Sequence, residues 1–181
     1  MWRGRPRLSL LGLLCLLPGL GFAALQASES KVSFTCVGPG GLHIDGTGTA
    51  LVVQDKGDVL VVTVPLNSVT TGIGLRDTHM HEKYLETGQY PTAELSLPRG
   101  GVKFPGPGEI VEASAPGTLT LHGKSQPLTV HYKAVRKGNA YEVKADFHIN
   151  MNDYGIATPS YLGITVKPGV DVAVSFRLLE S

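Results

Sequence analysis

Hydrophobic and polar residues alternate with a period of two along most of the chain. In residues 141–150 apolar and aromatic side chains alternate with charged and amide side chains, and residues 171–178 repeat the pattern. Successive side chains of a β-strand point to opposite faces, so each run predicts a strand with one buried and one solvated face. Glycine-containing turns at 55–58, 122–124 and 137–139 separate neighbouring runs, and each predicts a hairpin between antiparallel strands.

These runs predict an all-β fold of about eight strands. Several runs exceed nine residues, a length that suits the tilted strands of a barrel better than those of a small sandwich. We therefore expect an eight-stranded antiparallel barrel, whose interior is wide enough for packed side chains or for one slim ligand. The predicted strands are residues 31–36, 42–54, 58–66, 92–97, 109–121, 126–135, 141–150 and 170–179.

The connection over residues 70–97 concentrates polar chemistry between two predicted strands. Long ordered connections of this kind often lie where something binds. Residues 77–86 predict the one short helix, with Asp77 or Thr78 as its N-cap and Gly88 as its stop. Its apolar stripe consists of Met80, Tyr84 and Leu85.

Residues 1–23 have the pattern of a secretory signal peptide. Three arginines precede a leucine-rich run that is too short and wrongly flanked to span a membrane. We therefore expect one exported domain, residues 24–181, that is periplasmic or secreted and does not span the membrane. Cys36 is then the only cysteine of the mature chain, so no intramolecular disulfide is expected. Its place on the apolar side of a strand predicts a small buried residue rather than a reactive thiol.

Composition and motifs argue against several function classes. The net charge is +1 and no basic block follows the signal peptide, so nucleic acid is not an expected partner. The sequence contains no Gly-x-Ser-x-Gly elbow and no phosphate-binding loop, so neither a catalytic residue nor a cofactor is predicted.

The histidines do not predict a metal site. His79 and His81 lie two residues apart with Glu82 beside them, and on a helix residues at that spacing point about 200° apart. Helical metal sites use a spacing of four residues instead. The histidines at polar positions of the predicted strands and turns are expected to be solvated: His122, His131 and His148.

Three motifs in order resemble the YceI-like family. The sequence TTGIGLRDTHMHEKYLETGQYPTAELS in the 70–97 connection looks like the family's Thr-Gly, Arg-Asp-x-His and Tyr-Pro signature. The GTLTLHG hairpin at 117–123 and the segment from FHIN to DYGI at 147–156 resemble two further family motifs. The resemblance implies an extended lipocalin-like barrel, exported by bacteria, that holds a long isoprenoid or related lipid in an apolar tunnel. Residues 98–108 are rich in Pro and Gly, which predicts a surface loop rather than a central strand. This segment and His81 depart from the family pattern.

Strand alternation indicates which side chains face the barrel interior, and these are mostly aliphatic or aromatic. Such a lining suits either a lipid-sized pocket or a filled core, and the resemblance favours the pocket. The inward positions are Phe34, Leu60, Val62, Val64, Leu119, Leu121, Val130, Tyr132, Tyr141, Val143, Phe147, Val172, Val174 and Phe176.

The expected function is non-covalent binding, with transport or storage, of a polyisoprenoid, isoprenoid quinone or fatty-acyl lipid. One alternative is a stress-related structural or interaction module that uses the outer barrel surface without a ligand. Another is an enzyme acting on the bound lipid, and homodimerisation also stays open. The predicted ligand-binding residues are Phe34, Ile73, Leu75, Arg76, His79, Met80, Tyr84, Leu85, Tyr90, Leu119, Tyr132, Phe147, Tyr154 and Phe176.

The Arg76-Asp77 pair has two interpretations. Arg76 could meet a phosphate or quinone oxygen at the tunnel mouth, because its guanidinium matches such groups. Alternatively, Arg76 or Asp77 bonds to the backbone of the connection and fixes the helix to the barrel. With either role, we expect the connection to act as a gate across one end of the barrel.

Overall fold

The structure is a computed structural model that describes residues 24–25, 27–161 and 164–179. The predicted signal peptide lies outside the described residues. Within them, ten strands form one antiparallel sheet and two short strands form a separate pair. The strands are β1 (Ala24–Leu25), β2 (Ala27–Val37), β3 (His43–Gly48), β4 (Val52–Asp55), β5 (Val59–Pro65), β6 (Thr92–Pro98), β7 (Ile110–Leu121), β8 (Lys124–Lys137), β9 (Ala140–Asn150), β10 (Ser160–Tyr161), β11 (Ile164–Thr165) and β12 (Gly169–Leu179).

The large sheet curls into a half-barrel because its two edges are joined by a short piece of chain. Its strand order is β1-β4-β5-β6-β7-β8-β9-β12-β2-β3, so β3 lies at one edge and β4 lies next to the short edge strand β1 on the opposite side. Three residues separate them along the chain, and that distance spans at most roughly 14 Å. The barrel class and the three predicted hairpins are confirmed.

One predicted strand is wrong in detail. Residues 42–54 form two strands, β3 and β4, which pair with β2 and β5 respectively. The chain bends at residues 49–51, where Leu51 turns into the core. Alternation continues across the bend, so the pattern alone did not show that the strand changes its neighbour. This division, together with β1, brings the predicted eight strands to the ten of the described sheet.

The short helix is present, but its predicted bounds and cap are wrong. Helix α1 (Gly74–His79) begins three residues before Asp77 and continues as one π-helical turn, Met80–Tyr84. Ile73 is the N-cap residue and makes no side-chain cap bond. The helix ends before Gly88, since the backbone already reaches a φ of 46° at Glu86. Asp77 does not cap the helix because its carboxylate is bonded to the turn that precedes it.

Buried side chains fill one end of the barrel, which we call the packed end. The strand register places three segments at this end. They are the part of the connection that precedes β6 (residues 70–91), the β7–β8 hairpin and residues 151–168. Tyr154 is 2% exposed, and burial raises the pKa of its phenol, with Asp153 adding to the effect. The packed cluster consists of Cys36, Leu66, Leu95, Leu119, Leu121, Val130, Phe147, Ile149, Met151, Tyr154, Ile156, Val166 and Val170.

Cys36 is part of this cluster, which confirms that it is a small buried residue. Burial, with smaller contributions from Asp45 and Asp171, raises the pKa of its thiol to about 11. The thiolate is the reactive form of cysteine, so Cys36 is inert at neutral pH.

Candidate functional site

An apolar cavity of about 420 Å³ occupies the other end of the barrel, which we call the cavity end. Strands β4 to β9 and β12 supply most of its wall. Its volume falls within the range of small-ligand pockets, roughly 300–1,000 Å³. The lining residues are Val53, Asp55, Leu60, Val62, Leu95, Leu97, Arg99, Val102, Lys103, Phe104, Pro105, Ala115, Val130, Tyr132, Ala134, Tyr141, Val143, Ala145, Phe147, Val174, Phe176, Leu178 and Leu179.

Exposure of the lining rises from the floor of the cavity to its mouth. Ala115 and Val130 on the floor are 1% and 2% exposed, whereas Phe104 is 44% exposed and Leu179 is 37% exposed. Leu95, Val130 and Phe147 belong both to the cavity lining and to the packed cluster. The cavity is therefore closed by the packed end and opens at the opposite end of the barrel.

The barrel wall separates beside this mouth. Strands β6 and β7 pair only over Glu94–Ser96 and Thr118–Thr120, although β6 continues to Pro98 and β7 begins at Ile110. Residues 98–108 connect the separated strand ends. Arg99 N donates to Asp58 O at 2.8 Å, and Gly108 N donates to Arg136 O at 3.2 Å. We call this segment the mouth loop, and it crosses the opening from the β4–β5 hairpin to the end of β8.

Side chains of the barrel hold the mouth loop against the cavity. The Tyr132 hydroxyl accepts a hydrogen bond from Lys103 N at 2.7 Å and lies 3.3 Å from Lys103 O. Arg99 Nη1 pairs with Asp55 Oδ2 at 2.7 Å, and its guanidinium lies 4.8 Å from the centre of the Phe104 ring. The Phe104 ring in turn meets Tyr141 edge-on, with a centroid distance of 6.2 Å.

Polar groups of the cavity are confined to its mouth and upper wall. They are the Asp55–Arg99 pair, Lys103 and the hydroxyls of Tyr132 and Tyr141. Among the described residues that line the cavity, none is a histidine, cysteine or serine. The described part of the chain also contains no group of three or more His, Cys, Asp or Glu residues placed to hold a metal ion. The geometry suits an apolar chain whose polar end stays near the opening.

The polar residues of the connection serve a different purpose at the packed end. Thr47 and Thr70 exchange two backbone hydrogen bonds of 2.8 Å, which join the β3 edge to the connection. Asp77 accepts from Thr70 Oγ1, Thr71 N and Thr71 Oγ1. Arg76 donates to Thr71 Oγ1 and Thr71 O at 2.8 and 2.9 Å. Arg76 and Asp77 thus bond to the turn of the connection at Thr70 and Thr71, as the second interpretation expects, and Thr70 joins that turn to β3.

The environment of Asp77 favours its ionised form. Partial burial alone raises the pKa of its carboxyl, but hydrogen bonds from Thr70 and Thr71 and the nearby His81 outweigh that effect. The pKa of Asp77 therefore lies below its ordinary value of 3.8.

The histidines of this region have separate surroundings. His81 Nε2 lies 2.8 Å from Val69 O, so His81 helps to hold the connection, while His79 is exposed. His122 was predicted to be solvated, and this is wrong. Its ring packs against Tyr90 in a tilted arrangement, with the ring centroids 4.5 Å apart, and its nitrogens lie 2.9 Å from Glu86 Oε2 and 3.2 Å from Tyr154 O.

The predicted solvated positions of His131 and His148 are confirmed. Both residues are exposed on the outer face of the sheet. His131 Nδ1 bonds to Ser114 at 2.8 Å, and His148 Nδ1 bonds to Asp171 at 2.7 Å.

The structure brings only three of the predicted ligand-binding residues together in the cavity wall: Tyr132, Phe147 and Phe176. Phe34, Leu119, Tyr154, Tyr84 and Leu85 belong to the packed cluster or pack against it. Ile73 and Leu75 are exposed, with Leu75 at 63%, so they do not face the cavity. Arg76, His79, Met80 and Tyr90 lie in the connection, away from the cavity lining.

Sequence reasoning missed the mouth loop as part of the site. Its Pro and Gly content correctly predicted a segment outside the central strands, but was interpreted only as a surface loop. Val102, Phe104 and Pro105 were the available signal, since three apolar residues in a polar loop indicate a buried or ligand-facing stretch. Most predicted inward residues of β5, β8, β9 and β12 do line the cavity.

Comparison with known proteins settles the family. A family model for the YceI-like domain matches residues 24–178. The chain belongs to the YceI-like family. A UPF0312 protein of Yersinia enterocolitica is 31% identical over 121 residues, which cover 63% of this chain and 60% of that protein. Protein YceI of Salmonella arizonae is 29% identical with the same coverage. The chain thus spans about 60% of the length of these relatives.

Two solved structures share the fold. A polyisoprenoid binding domain from Saccharophagus degradans, implicated in plant cell wall breakdown, matches with a TM-score of 0.73 and 19% identity, covering 87% of this chain and 98% of that domain. BcnA of Burkholderia cenocepacia matches with a TM-score of 0.65 and 18% identity, covering 84% and 99% of the two chains. At these identities the likeness establishes a common barrel. In the described residues, no helix has the length and apolarity needed to cross a membrane.

Proposed function

We propose that this YceI-like barrel binds a long apolar lipid without covalent chemistry and carries or stores it. The observation that supports the proposal is the one-ended apolar cavity, whose polar groups are gathered at its mouth. A polyisoprenoid, an isoprenoid quinone or a fatty-acyl lipid has the matching form, an apolar chain with one polar end. The polyisoprenoid binding domain from Saccharophagus degradans supports this class of ligand through its shared fold.

The cavity volume limits how much chain is enclosed. At roughly 30 Å³ for each group of about the size of a water molecule, 420 Å³ holds on the order of a dozen chain carbons. Each buried methylene contributes about 0.8 kcal/mol, so a dozen supply on the order of 10 kcal/mol before ordering costs. Apolar burial alone is then sufficient for useful affinity. The rest of a longer chain would leave through the mouth.

The ligand contacts that we propose are Tyr132, Phe147 and Phe176 of the sequence-derived set, joined by the mouth loop. Contact between the ligand and the residues of the connection stays a prediction. We propose binding rather than catalysis because the deep part of the cavity is apolar. Membership of the YceI-like family supports an exported, periplasmic location for the domain from residue 24 onward. Homodimerisation stays a prediction that light scattering can test.

A pair of matched substitutions tests the proposal. Ala134→Leu places three added carbons in the cavity, whereas Ala173→Leu makes the same change at an exposed position on β12. If the added carbons displace two or three methylenes, at about 0.8 kcal/mol each, the affinity for cis-parinaric acid falls roughly 10- to 50-fold. Fluorescence titration measures this affinity, and Ala173→Leu should bind like the wild type. Equal affinity of the wild type and Ala134→Leu would show that the cavity is not the binding site.

A further inference from the structure

We propose that the mouth loop is the gate of the cavity, and that the Tyr132 hydroxyl is its latch. This inference rests on the proposed lipid binding and names how access to that site is controlled. Four consecutive loop residues, 102–105, line the cavity and form its cover. The lipid therefore enters and leaves beside β6 and β7, at the opposite end of the barrel from the 70–91 connection.

The latch joins the loop backbone to a side chain of the barrel wall. Tyr132 points inward from β8, and its hydroxyl accepts from Lys103 N at 2.7 Å. The same hydroxyl lies 3.3 Å from Lys103 O, so one group engages both backbone atoms of one loop residue. These are the direct hydrogen bonds between the 102–105 cover and the β8 wall that the structure describes, and they are partly exposed to water.

Backbone hydrogen bonds anchor the two ends of the loop and Pro105 is buried, but the other side-chain contacts of the loop are ones that can be broken and remade. The Asp55–Arg99 pair has an Arg99 side chain that is 43% exposed, so water screens it. Phe104 contacts Arg99 and Tyr141 while 44% of it stays exposed. Glycines precede and follow the cover, and Gly108 has a φ of 75°, a conformation that allows the chain to reverse at low cost.

The separation of β6 and β7 gives the cover room to move. The two strands do not pair beyond Ser96 and Thr118, so lifting residues 102–105 breaks no ladder between them. The connection at the packed end lacks this freedom. Thr70 is bonded into the β3 edge, and the Asp77 carboxylate holds the following turn. The gate is therefore expected at the cavity end, where β6 and β7 separate. The hydrogen bonds that Asp77 makes to the turn at Thr70 and Thr71, which we call the clamp, hold the connection at the packed end.

Tyr132→Phe tests the latch because it removes the hydroxyl and keeps the ring. The control is Ser114→Ala, which also removes one hydroxyl, here a group bonded to His131 on the outer face of the sheet and outside the cavity lining. Stopped-flow fluorescence would measure the association of cis-parinaric acid and its release into phosphatidylcholine vesicles. We expect both rates of Tyr132→Phe to rise about five- to tenfold, the factor that one lost hydrogen bond supplies. The dissociation constant should change less than either rate, and Ser114→Ala should match the wild type.

Hydrogen exchange supplies a second measurement that does not need a ligand. In Tyr132→Phe the amides of residues 102–104 should lose protection, while those of β7 and β8 keep theirs. Faster release without faster association would identify Tyr132 as a ligand contact and overturn the gate. Unchanged rates despite faster exchange, or acceleration by Ser114→Ala, would overturn it as well, with lipid binding intact. A wild-type protein that binds no probe would instead remove the proposed function and the gate together.

Discussion

The two ends of the barrel are built from the same kind of strand but are completed differently. At the packed end, thirteen buried residues fill the space between the strands, and the connection is bonded into the sheet edge. At the cavity end, small residues such as Ala115 and Ala134 leave about 420 Å³ open beneath a loop held by a few polar contacts. The contrast supports our proposal that one end stabilises the fold and the other binds a ligand.

The largest expected difference between the ends is in the free energy of unfolding. Leu121→Ala empties a site in the packed cluster, and such truncations cost about 2–5 kcal/mol. Leu178→Ala makes the same change at a half-buried residue that already borders the cavity, so we expect about 1 kcal/mol. Urea denaturation of the two variants gives the comparison. Equal losses would mean that the cavity end is as tightly packed as the other.

A smaller loss in the free energy of unfolding is expected when the clamp between Asp77 and the turn at Thr70 and Thr71 is weakened. Asp77→Asn weakens the bonds to Thr70 and Thr71, with an expected cost of about 1–3 kcal/mol at neutral pH. Release of bound probe from the cavity should not change, since the clamp lies at the packed end. Glu82→Gln, an exposed charge change in the same segment, serves as the control and should leave stability within about 0.5 kcal/mol.

The pH dependence of this effect follows from the lowered pKa of Asp77. A carboxyl whose pKa falls on folding contributes stability above its unfolded value, here 3.8, and loses it as the pH drops through the native value. The stability difference between the wild type and Asp77→Asn should therefore be full above pH 3.8 and shrink in stronger acid. A difference that grows in acid would show that the carboxylate does not hold the turn.

Much of the fold could be predicted because alternation and turn residues act locally. The hairpins at 55–58, 122–124 and 137–139 follow from glycine-containing turns between alternating runs. The division of residues 42–54 could not be predicted, since both halves alternate and only tertiary closure gives them different neighbours. The helix start was missed because Asp77, a good N-cap residue, bonds instead to a turn six residues earlier.

The candidate site was predicted correctly along the strands and missed at its opening. Alternation along the strands correctly predicts that Tyr132, Phe147 and Phe176 face the barrel interior, because it fixes the face of the sheet that each side chain occupies. Alternation does not indicate how far along the barrel axis a residue lies. Leu119 and Phe34 were therefore also predicted to contact the ligand, although they lie at the packed end. The mouth loop has no regular alternation of hydrophobic and polar residues from which its position could be predicted. Its place over the cavity depends on where β6 and β7 separate.

Native mass spectrometry of the protein purified without detergent tests the central claim most directly. We predict that the wild type retains a non-covalent ligand with the mass of a long-chain lipid, and that Ala134→Leu retains much less of it. Collisional activation should release the ligand and leave the unmodified chain. A wild-type protein that is empty in every preparation, and that takes up no lipid when one is supplied, would contradict the account.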